Sequence, residues 1–243
     1  MLLSKEELER YDRQIILFNV DGQVKLKKAR IVVFGVGGLG SVSSIYLTAL
    51  GIGKLFLVDH GKVELSNLNR QILYKTSDIG KFKVKIAAQR LKELNPNVDI
   101  EYSIEKITSE NVYSFIREAD VVIDGLDNWK TRFTVNKACV ELNKPFIHAG
   151  VHGMYGQLLV VVPGKSPCLQ CIMPIRPSKE RKIPVLPTTP AVLAALQVTE
   201  AVKMITGYGR PAIGKLILYD GYSMSFHEIH VTRRENCPVC GSI

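Results

Sequence analysis

Short apolar runs alternate over the first 150 residues with stretches in which apolar residues recur at helical spacing. The runs predict strands at 30–35, 54–59, 98–104, 120–124 and 145–150. The periodic stretches predict helices at 41–50, 80–94, 109–117 and after 128, with Ser109 as the cap of the third. This alternation is typical of an α/β fold with a largely parallel sheet and right-handed crossovers.

The pattern changes after Gly150. Residues 155–162 form an apolar run with no helix before it, which predicts that the sheet continues antiparallel. Prolines crowd the stretch 163–190, which favours a long crossing loop over regular structure. A helix is predicted at 191–206, followed by a closing hairpin of 213–219 and 223–231.

Length and composition fit a single domain over residues 1–243. A chain of 243 residues that is 46% hydrophobic can bury a substantial core. We expect an N-terminal helical arm (1–29), a nucleotide-binding half (30–150) and an antiparallel half (151–243). The sequence has neither a long uncharged apolar stretch nor a signal-peptide pattern, so we expect a cytoplasmic protein without a membrane span.

The formal net charge of +9 favours an anionic partner, such as nucleotide phosphate, nucleic acid or an acidic protein. The lysines are scattered with few aromatic residues among them, as on an ordinary solvated face. This argues against nucleic acid as the partner.

Residues 35–40 (Gly-Val-Gly-Gly-Leu-Gly) fit the pattern G-x-G-x-x-G between a predicted strand and a predicted helix. Such a turn lets backbone N–H groups approach phosphate at the positive end of the helix. Asp59, at the end of the next strand, can accept hydrogen bonds from ribose hydroxyls. The glycines could also serve strand–helix packing alone, and NAD or FAD would need little more than these features.

The following loop suits a triphosphate. It carries Asn67, Asn69 and Arg70, and Lys83 follows shortly after. The arginine fork and the mobile lysine charge can together hold negative charge that grows on phosphate oxygens, although each alone could be ordinary surface charge. Asp127, beyond a buried strand, can either hold Mg²⁺ or cap the next helix.

Two C-x-x-C pairs indicate a closed tetrahedral zinc site that would join the crossing loop to the C-terminal segment. The candidate ligands are Cys168, Cys171, Cys237 and Cys240. Redox pairs or disulfides are the alternative, and they are uncommon in a cytoplasmic chain. Cys139, in mid-helix, is expected to be buried packing, as are His148 and His152, which lack an H-E-x-x-H context.

Five motifs together resemble the MoeB/ThiF/HesA family, the bacterial and archaeal relatives of ubiquitin-activating enzymes. They are Arg-Tyr-Asp-Arg-Gln at 10–14, the glycine motif at 35–40, Ser-Asn-Leu-Asn-Arg-Gln at 66–71, Gly-Lys-Phe-Lys at 80–83 and Asp-Gly-Leu-Asp-Asn at 124–128. The similarity runs from about Leu8 to Gly241. It implies a Rossmann-like ATP-binding fold with a mixed, mostly parallel sheet extended by antiparallel strands.

The resemblance also implies an activity. A homodimeric adenylyltransferase would use ATP and Mg²⁺ to adenylate the C-terminal glycine of a small ubiquitin-like sulfur carrier protein (MoaD-like or ThiS-like, ending in Gly-Gly), releasing pyrophosphate. The antiparallel half would bind the carrier.

Carried over by position, the resemblance implies that Gly38 and Asp59 contact the nucleotide. It also implies that Arg70 and Lys83 neutralise the charge of the triphosphate. Asp127 and Asn128 would place Mg²⁺, and Arg13 would reach the ATP of the neighbouring subunit. The phosphate pocket would be lined by Ser66, Asn67, Leu68, Asn69 and Arg70.

The sequence departs from many of these relatives in one respect. They carry a crossing-loop cysteine that bonds covalently to the carrier, whereas residues 182–190 contain none. We therefore expect the reaction to end at the acyl-adenylate, with a separate sulfur donor, since no rhodanese-like domain follows Ile243. Adenylation of a peptide C-terminus or a tRNA base, an NAD- or FAD-dependent oxidoreductase, and a noncatalytic zinc-containing binding module are the alternatives.

Overall fold

Eight strands form one mixed sheet in the part of the chain that the structure, a computed structural model, describes: residues 3–174 and 183–241. Their order is β3-β2-β1-β4-β5-β6-β7-β8. Neighbours from β3 to β5 run parallel, and β5 to β8 pair antiparallel. The strands are β1 (Arg30–Phe34), β2 (Lys54–Val58), β3 (Asp99–Ser103), β4 (Val121–Asp124), β5 (Phe146–His152), β6 (Tyr155–Val161), β7 (Lys215–Asp220) and β8 (Ser225–His230).

Helices cover the sheet on both faces, as the near-continuous apolar strands β1 and β4 require. One apolar cluster joins α2, α3, α4 and α8 to the sheet, and the other joins α5, α6 and the cysteine segments to the opposite face. The helices are α1 (Lys5–Arg10), α2 (Asp12–Lys28, interrupted at Phe18 and Asn19), α3 (Gly40–Ala49), α4 (Lys83–Leu94), α5 (Val112–Ile116), α6 (Trp129–Glu141), α7 (Leu169–Ile172) and α8 (Thr188–Thr206).

The predicted fold class is confirmed, including the switch to antiparallel strands and the closing hairpin. Two helix starts were wrong. α4 begins at Lys83 because Gly80 lies in a turn with a φ of 86°. α5 begins at Val112, since Thr108 and Asn111 exchange side-chain hydrogen bonds in a separate turn, and Ser109 caps nothing.

The predicted crossing loop contains more regular structure than expected. The short helix α7 lies within it, and α8 starts at Thr188 because Pro190 falls in the first turn, where a missing N–H costs nothing. Residues 175–182 of that prediction lie outside the described residues. The segment after them is anchored at Gly153, whose N–H donates to the carbonyl of Pro184 (2.7 Å) and whose carbonyl accepts from Leu186 (3.0 Å).

Among the described residues, no helix combines the length and the apolar character needed to cross a lipid bilayer.

Candidate active site

The glycine turn lies where β1 passes into α3. Gly35 has a φ of 81°, and a Cβ there would lie 2.6 Å from the carbonyl oxygen of Gly125, at the end of β4. A Cβ at Gly40 would lie 1.8 Å from the carbonyl oxygen of Gly35. Only glycine fits at these positions, and no side chain of the described residues caps the first turn of α3. The N-terminal end of α3 is therefore open to an anion.

Asp59 lies beside this turn at the end of β2. Its Oδ2 accepts a hydrogen bond from the N–H of Val36 (2.8 Å), and its Oδ1 accepts one from the N–H of Gly61 (2.7 Å). The carboxylate is only partly buried. Each oxygen keeps a further acceptor position, so the group can still bind hydroxyls.

The loop 64–71 folds over the glycine turn. Arg70 lies above Gly38, where an added methyl group would lie 3.6 Å from Cδ of Arg70 and 3.5 Å from Pro190. Its Nη1 donates to the carbonyl of Ser66 (2.9 Å) and to Oδ1 of Asn69 (3.0 Å). These bonds hold the guanidinium beside the glycine turn in a fixed orientation.

The other predicted residues of this loop differ in exposure. Asn67 is buried, and its Oδ1 accepts from the N–H of Glu64 (3.2 Å), which fixes the turn itself. Ser66 and Asn69 are exposed, and Leu68 packs against the core.

Lys83, the first residue of α4, lies beside Asp59. An added methyl group at Gly61 would lie 3.7 Å from Nζ of Lys83 and 3.0 Å from Oδ1 of Asp59. The structure thus brings Gly38, Asp59, Arg70 and Lys83 to one end of the sheet, although they are far apart in the sequence.

Asp127 is exposed at the end of the turn after β4. Asn128, not Asp127, caps α6: its Oδ1 accepts from the backbone N–H of Thr131 (2.9 Å) and from its hydroxyl (2.8 Å). The alternative interpretation of Asp127 as the helix cap is therefore wrong, and its carboxylate is available for a cation.

Below this turn lies a buried polar network that the sequence interpretation missed; its members are Asp124, Arg132, His148 and Gln157. Nε of Arg132 lies 3.2 Å from Oδ2 of Asp124, and its Nη2 donates to the carbonyl of Leu126 (2.6 Å). The guanidinium stacks on Trp129, 5.0 Å from the ring centroid. The signal in the sequence was a histidine within the otherwise apolar run Phe-Ile-His-Ala-Gly at 146–150.

His148 fits this network as a neutral ring. Complete burial lowers the pKa of His148, and the neighbouring Asp124 only partly offsets that effect. Nδ1 of the ring lies 2.5 Å from Oδ2 of Asp124, and Nε2 lies 3.0 Å from the amide nitrogen of Gln157. A neutral ring that donates from Nδ1 and accepts at Nε2 satisfies both contacts. His148 is buried as predicted, whereas the same prediction for His152 is wrong, because that residue is exposed.

Arg13 lies exposed on α2, and its side chain has neither a hydrogen bond nor an ion pair with any described residue. Its neighbour Gln14 donates to the carbonyl of Leu50 (2.9 Å), just beyond the C-terminal end of α3. A ten-residue helix spans about 15 Å, so α2 is held at the far end of α3 from the glycine turn.

The four cysteines of the two C-x-x-C pairs converge, with all sulfur atoms within 4.8 Å of one another. Sγ of Cys168 lies 3.7 Å from Sγ of Cys237, and Sγ of Cys171 lies 3.4 Å from Sγ of Cys240. Disulfides need about 2.05 Å, so all four are free thiols. Tetrahedral Zn–S bonds of about 2.3 Å place sulfurs about 3.8 Å apart, which these separations match. Within the described residues, this is the one group of three or more Cys, His, Asp or Glu side chains close enough together to hold a metal.

Neighbouring groups complete the cysteine cluster. The N–H of Arg234 points to Sγ of Cys171 (3.5 Å), and Oδ1 of Asn136 accepts from the N–H of Leu169 (2.8 Å). Burial raises the pKa values of the Cys168 and Cys240 thiols. Burial acts in the same direction at Cys237, but the backbone N–H groups of Cys240 and Val239, together with the thiols of Cys171 and Cys240, outweigh it and lower the pKa of Cys237 to about 7. Such N–H groups stabilise thiolate, the form that binds metal. Cys139 is buried in the core as predicted.

Three features together define a nucleotide-binding α/β protein: a glycine turn open at a helix N-terminus, a carboxylate on the next strand, and cationic side chains around them. The chain belongs to the ThiF family, whose model matches residues 11–239. The predicted family and enzyme class, an adenylyltransferase of the MoeB/ThiF type, are confirmed.

Named relatives and solved structures agree with this assignment. A sulfur carrier protein adenylyltransferase of Thermus thermophilus is 41% identical, covering 99% of this chain and 93% of the relative. The sulfur carrier protein ThiS adenylyltransferase of Escherichia coli is 39% identical, covering 98% and 97%. The crystal structure of Escherichia coli MccB with ATP matches with a TM-score of 0.86 at 27% identity, covering 99% of this chain and 77% of that one.

Proposed function

We propose that this protein adenylates the C-terminal glycine carboxylate of a small ubiquitin-like sulfur carrier protein. The observation that carries the proposal is the placement of Arg70 over Gly38, beside Lys83 and Asp59. Relatives that are 39 to 41% identical over nearly the whole chain bear the name of sulfur carrier adenylyltransferases, which supports the substrate class. The antiparallel half, residues 151–243, would bind the body of the carrier.

The reaction needs no nucleophile from this protein. The carrier carboxylate is ionised at neutral pH and attacks the α-phosphorus of ATP. The bond between that phosphorus and the bridging oxygen breaks, and pyrophosphate leaves with the electron pair. Gly38 would let backbone N–H groups meet the phosphates, and Arg70 and Lys83 would hold the charge that grows on their oxygens. Asp59 would orient the ribose, and Ser66 to Asn69 would line the phosphate pocket.

Asp127 would hold Mg²⁺. Asn128, predicted to share this role, would instead support it by capping α6, because its Oδ1 already accepts two hydrogen bonds from Thr131. The fit rests on the exposed carboxylate of Asp127, which capping does not use, since Asn128 caps α6. An oxygen donor at the carboxyl end of a strand suits this hard cation. When bound, Mg²⁺ neutralises phosphate charge. We likewise propose that the four cysteines hold a structural Zn²⁺.

The activation step would end at the acyl-adenylate, and sulfur would come from a separate donor. None of the five cysteines in the sequence lies between residues 172 and 236. Four of them converge in the metal cluster, and Cys139 is buried in the core. No thiol remains near the pocket to bond to the carrier.

The direct test is mass spectrometry of candidate carriers ending in Gly-Gly after incubation with the protein, ATP and Mg²⁺. We expect a carrier that gains the mass of AMP and no enzyme–carrier adduct that a reductant cleaves. Carriers that never gain AMP would exclude the proposed substrate class, and a reducible adduct would exclude the noncovalent scheme.

Adenylation of a peptide is the second candidate. It is favoured by the likeness to MccB, whose structures include complexes with MccA. The identity to MccB is 27 to 28%, well below that to the carrier adenylyltransferases, so the carrier remains the first choice. The oxidoreductase alternative has no support from the family assignment.

We further propose a homodimer in which Arg13 completes the pocket of the partner. Arg13 is held at the far end of α3 from its own glycine turn. Large apolar side chains are exposed both on α2 and around the phosphate loop, and such surface is typical of an interface. They include Ile16 (70% exposed), Leu17 (56%), Leu65 (71%) and Ile72 (70%).

Mixing two inactive variants tests this arrangement. Arg13→Ala and Arg70→Ala subunits, combined in equal amounts and allowed to exchange, should recover about a quarter of the wild-type exchange activity, because one site in each mixed dimer is intact. Each variant alone should stay inactive. A mixture no more active than its components would refute the shared site.

A further inference from the structure

We propose that the buried polar network of Asp124, Arg132, His148 and Gln157 is a positioning device that sets the Asp127 turn and thereby controls the metal-dependent part of ATP binding. The inference rests on the proposed role of Asp127 as a Mg²⁺ ligand. Asp124 and His148 are fully buried and the Arg132 side chain is 8% exposed, so these three residues cannot contact ATP directly, whereas Gln157 is half-buried.

The network holds both sides of Leu126. The N–H of Leu126 donates to Oδ1 of Asp124 (2.9 Å), and its carbonyl accepts from Nη2 of Arg132 (2.6 Å). The peptide bond that follows is planar, so fixing the Leu126 carbonyl also fixes the amide nitrogen and Cα of Asp127. The backbone that carries the exposed carboxylate is thus restrained one residue earlier by a buried guanidinium.

Arg132 is itself fixed to the sheet. Its Nη2 also donates to the carbonyl of Ala149 on β5 (3.2 Å). From the other face, Gln197 of α8 donates to the carbonyls of Asp124 and Ile147, at 2.9 Å each. The network therefore joins the turn to β4, β5 and α8, and it has little freedom to shift.

Stability alone gives a weak reason to bury these charges. Desolvation of an ion pair costs several kcal/mol per ion, and apolar replacements of similar volume are often neutral or stabilising. Orientation is the benefit that an apolar core could not supply here, because only a forked donor can bind the carbonyls of Leu126 and Ala149 while facing Asp124. Partners behind a ligand typically change metal affinity by about 10- to 100-fold when they are removed.

The test compares ATP affinity by calorimetry in excess Mg²⁺ and in EDTA. Arg132→Met alone would leave the buried Asp124 carboxylate unpaired, so the main variant combines Arg132→Met with Asp124→Asn, which removes both charges and keeps an acceptor for the Leu126 N–H. We expect ATP binding in EDTA to match the wild type, and the Mg²⁺ affinity of the ATP complex to fall by at least about 10-fold. Thr134→Ala, on the same helix but outside the network, should leave both affinities unchanged.

Asp127→Ala separates the inference from the proposed function. It should lose the same metal-dependent affinity. Combining Asp127→Ala with the double variant should cause no further loss, because all of these substitutions act on the same turn. This inference fails, and the role of Asp127 stands, if Asp127→Ala loses the metal-dependent affinity while the double variant keeps it. The same conclusion holds if the double variant loses thermal stability but no metal-dependent affinity. If wild type and Asp127→Ala bind ATP equally with and without Mg²⁺, the proposed metal site and this inference both fail.

Discussion

Replacing Arg70 with alanine is expected to lower carrier-dependent ATP–pyrophosphate exchange by roughly 10²- to 10³-fold, by analogy with the loss of one preorganised oxyanion donor. Arg70 is held over Gly38 by hydrogen bonds to Ser66 and Asn69, so its charge is in place before the reaction begins. The fold should persist, because both partners lie within four residues of Arg70. Exchange assays with a carrier that the wild type adenylates, together with a melting curve for the variant, measure both parts.

Lys85→Ala is the matched control. It removes an exposed charge of the same sign from α4, two residues beyond Lys83 and therefore on a different face of the helix. Exchange in this variant should equal that of the wild type. A folded Arg70→Ala protein with unchanged exchange would show that the arginine does not act on the phosphates.

Removing the proposed zinc from the cysteine cluster should produce the largest change in stability. Structural zinc contributes about 10 to 16 kcal/mol of binding free energy in zinc-finger peptides, and a part of such energy is expected to stabilise this fold. The cluster joins residues 168–171 to 237–240, which are distant in sequence. Cys168→Ala should abolish zinc binding and lower the melting temperature by about 10 °C or more. Metal analysis and thermal melting measure the two effects.

Cys139→Ala provides the comparison for a buried cysteine outside the cluster. It should keep one zinc per chain. Its free energy of unfolding should fall only slightly, because the substitution shortens one buried side chain. Hydrogen exchange after chelation should speed up in residues 163–174 and 232–241 and leave β1 and β4 protected. Purified, reduced wild-type protein that contains no zinc and has four reactive thiols would rule out the structural metal.

Much of the fold follows from local patterns in the sequence. Apolar runs located β1, β2 and β4, and the loss of helical spacing after Gly150 predicted the antiparallel strands. These signals are strong because strands buried on both faces tolerate few polar residues. The cysteine spacing predicted the cluster in which all four thiols meet, since the pairs have few other stable arrangements.

Other features depended on contacts between distant residues. Asn128 and Asp127 are equally good helix caps by composition, and only the geometry after β4 shows which one bonds to Thr131. The role of Arg132 could not be predicted, because no local pattern shows that Asp124 and the carbonyl of Leu126 lie beneath it. The start of α5 was missed for a related reason: Thr108 and Asn111 close their own turn before the helix begins.

The position of Trp129 has a practical consequence. It is the single tryptophan of the chain, it directly follows Asp127 and Asn128, and its ring lies against Arg132 and, at 5.9 Å between centroids, His148. Indole emission depends on nearby charge and on solvent access, so its fluorescence is an unlabelled optical signal from this corner of the molecule. Rearrangement of the turn beside it can therefore be followed in the native chain without attaching a dye.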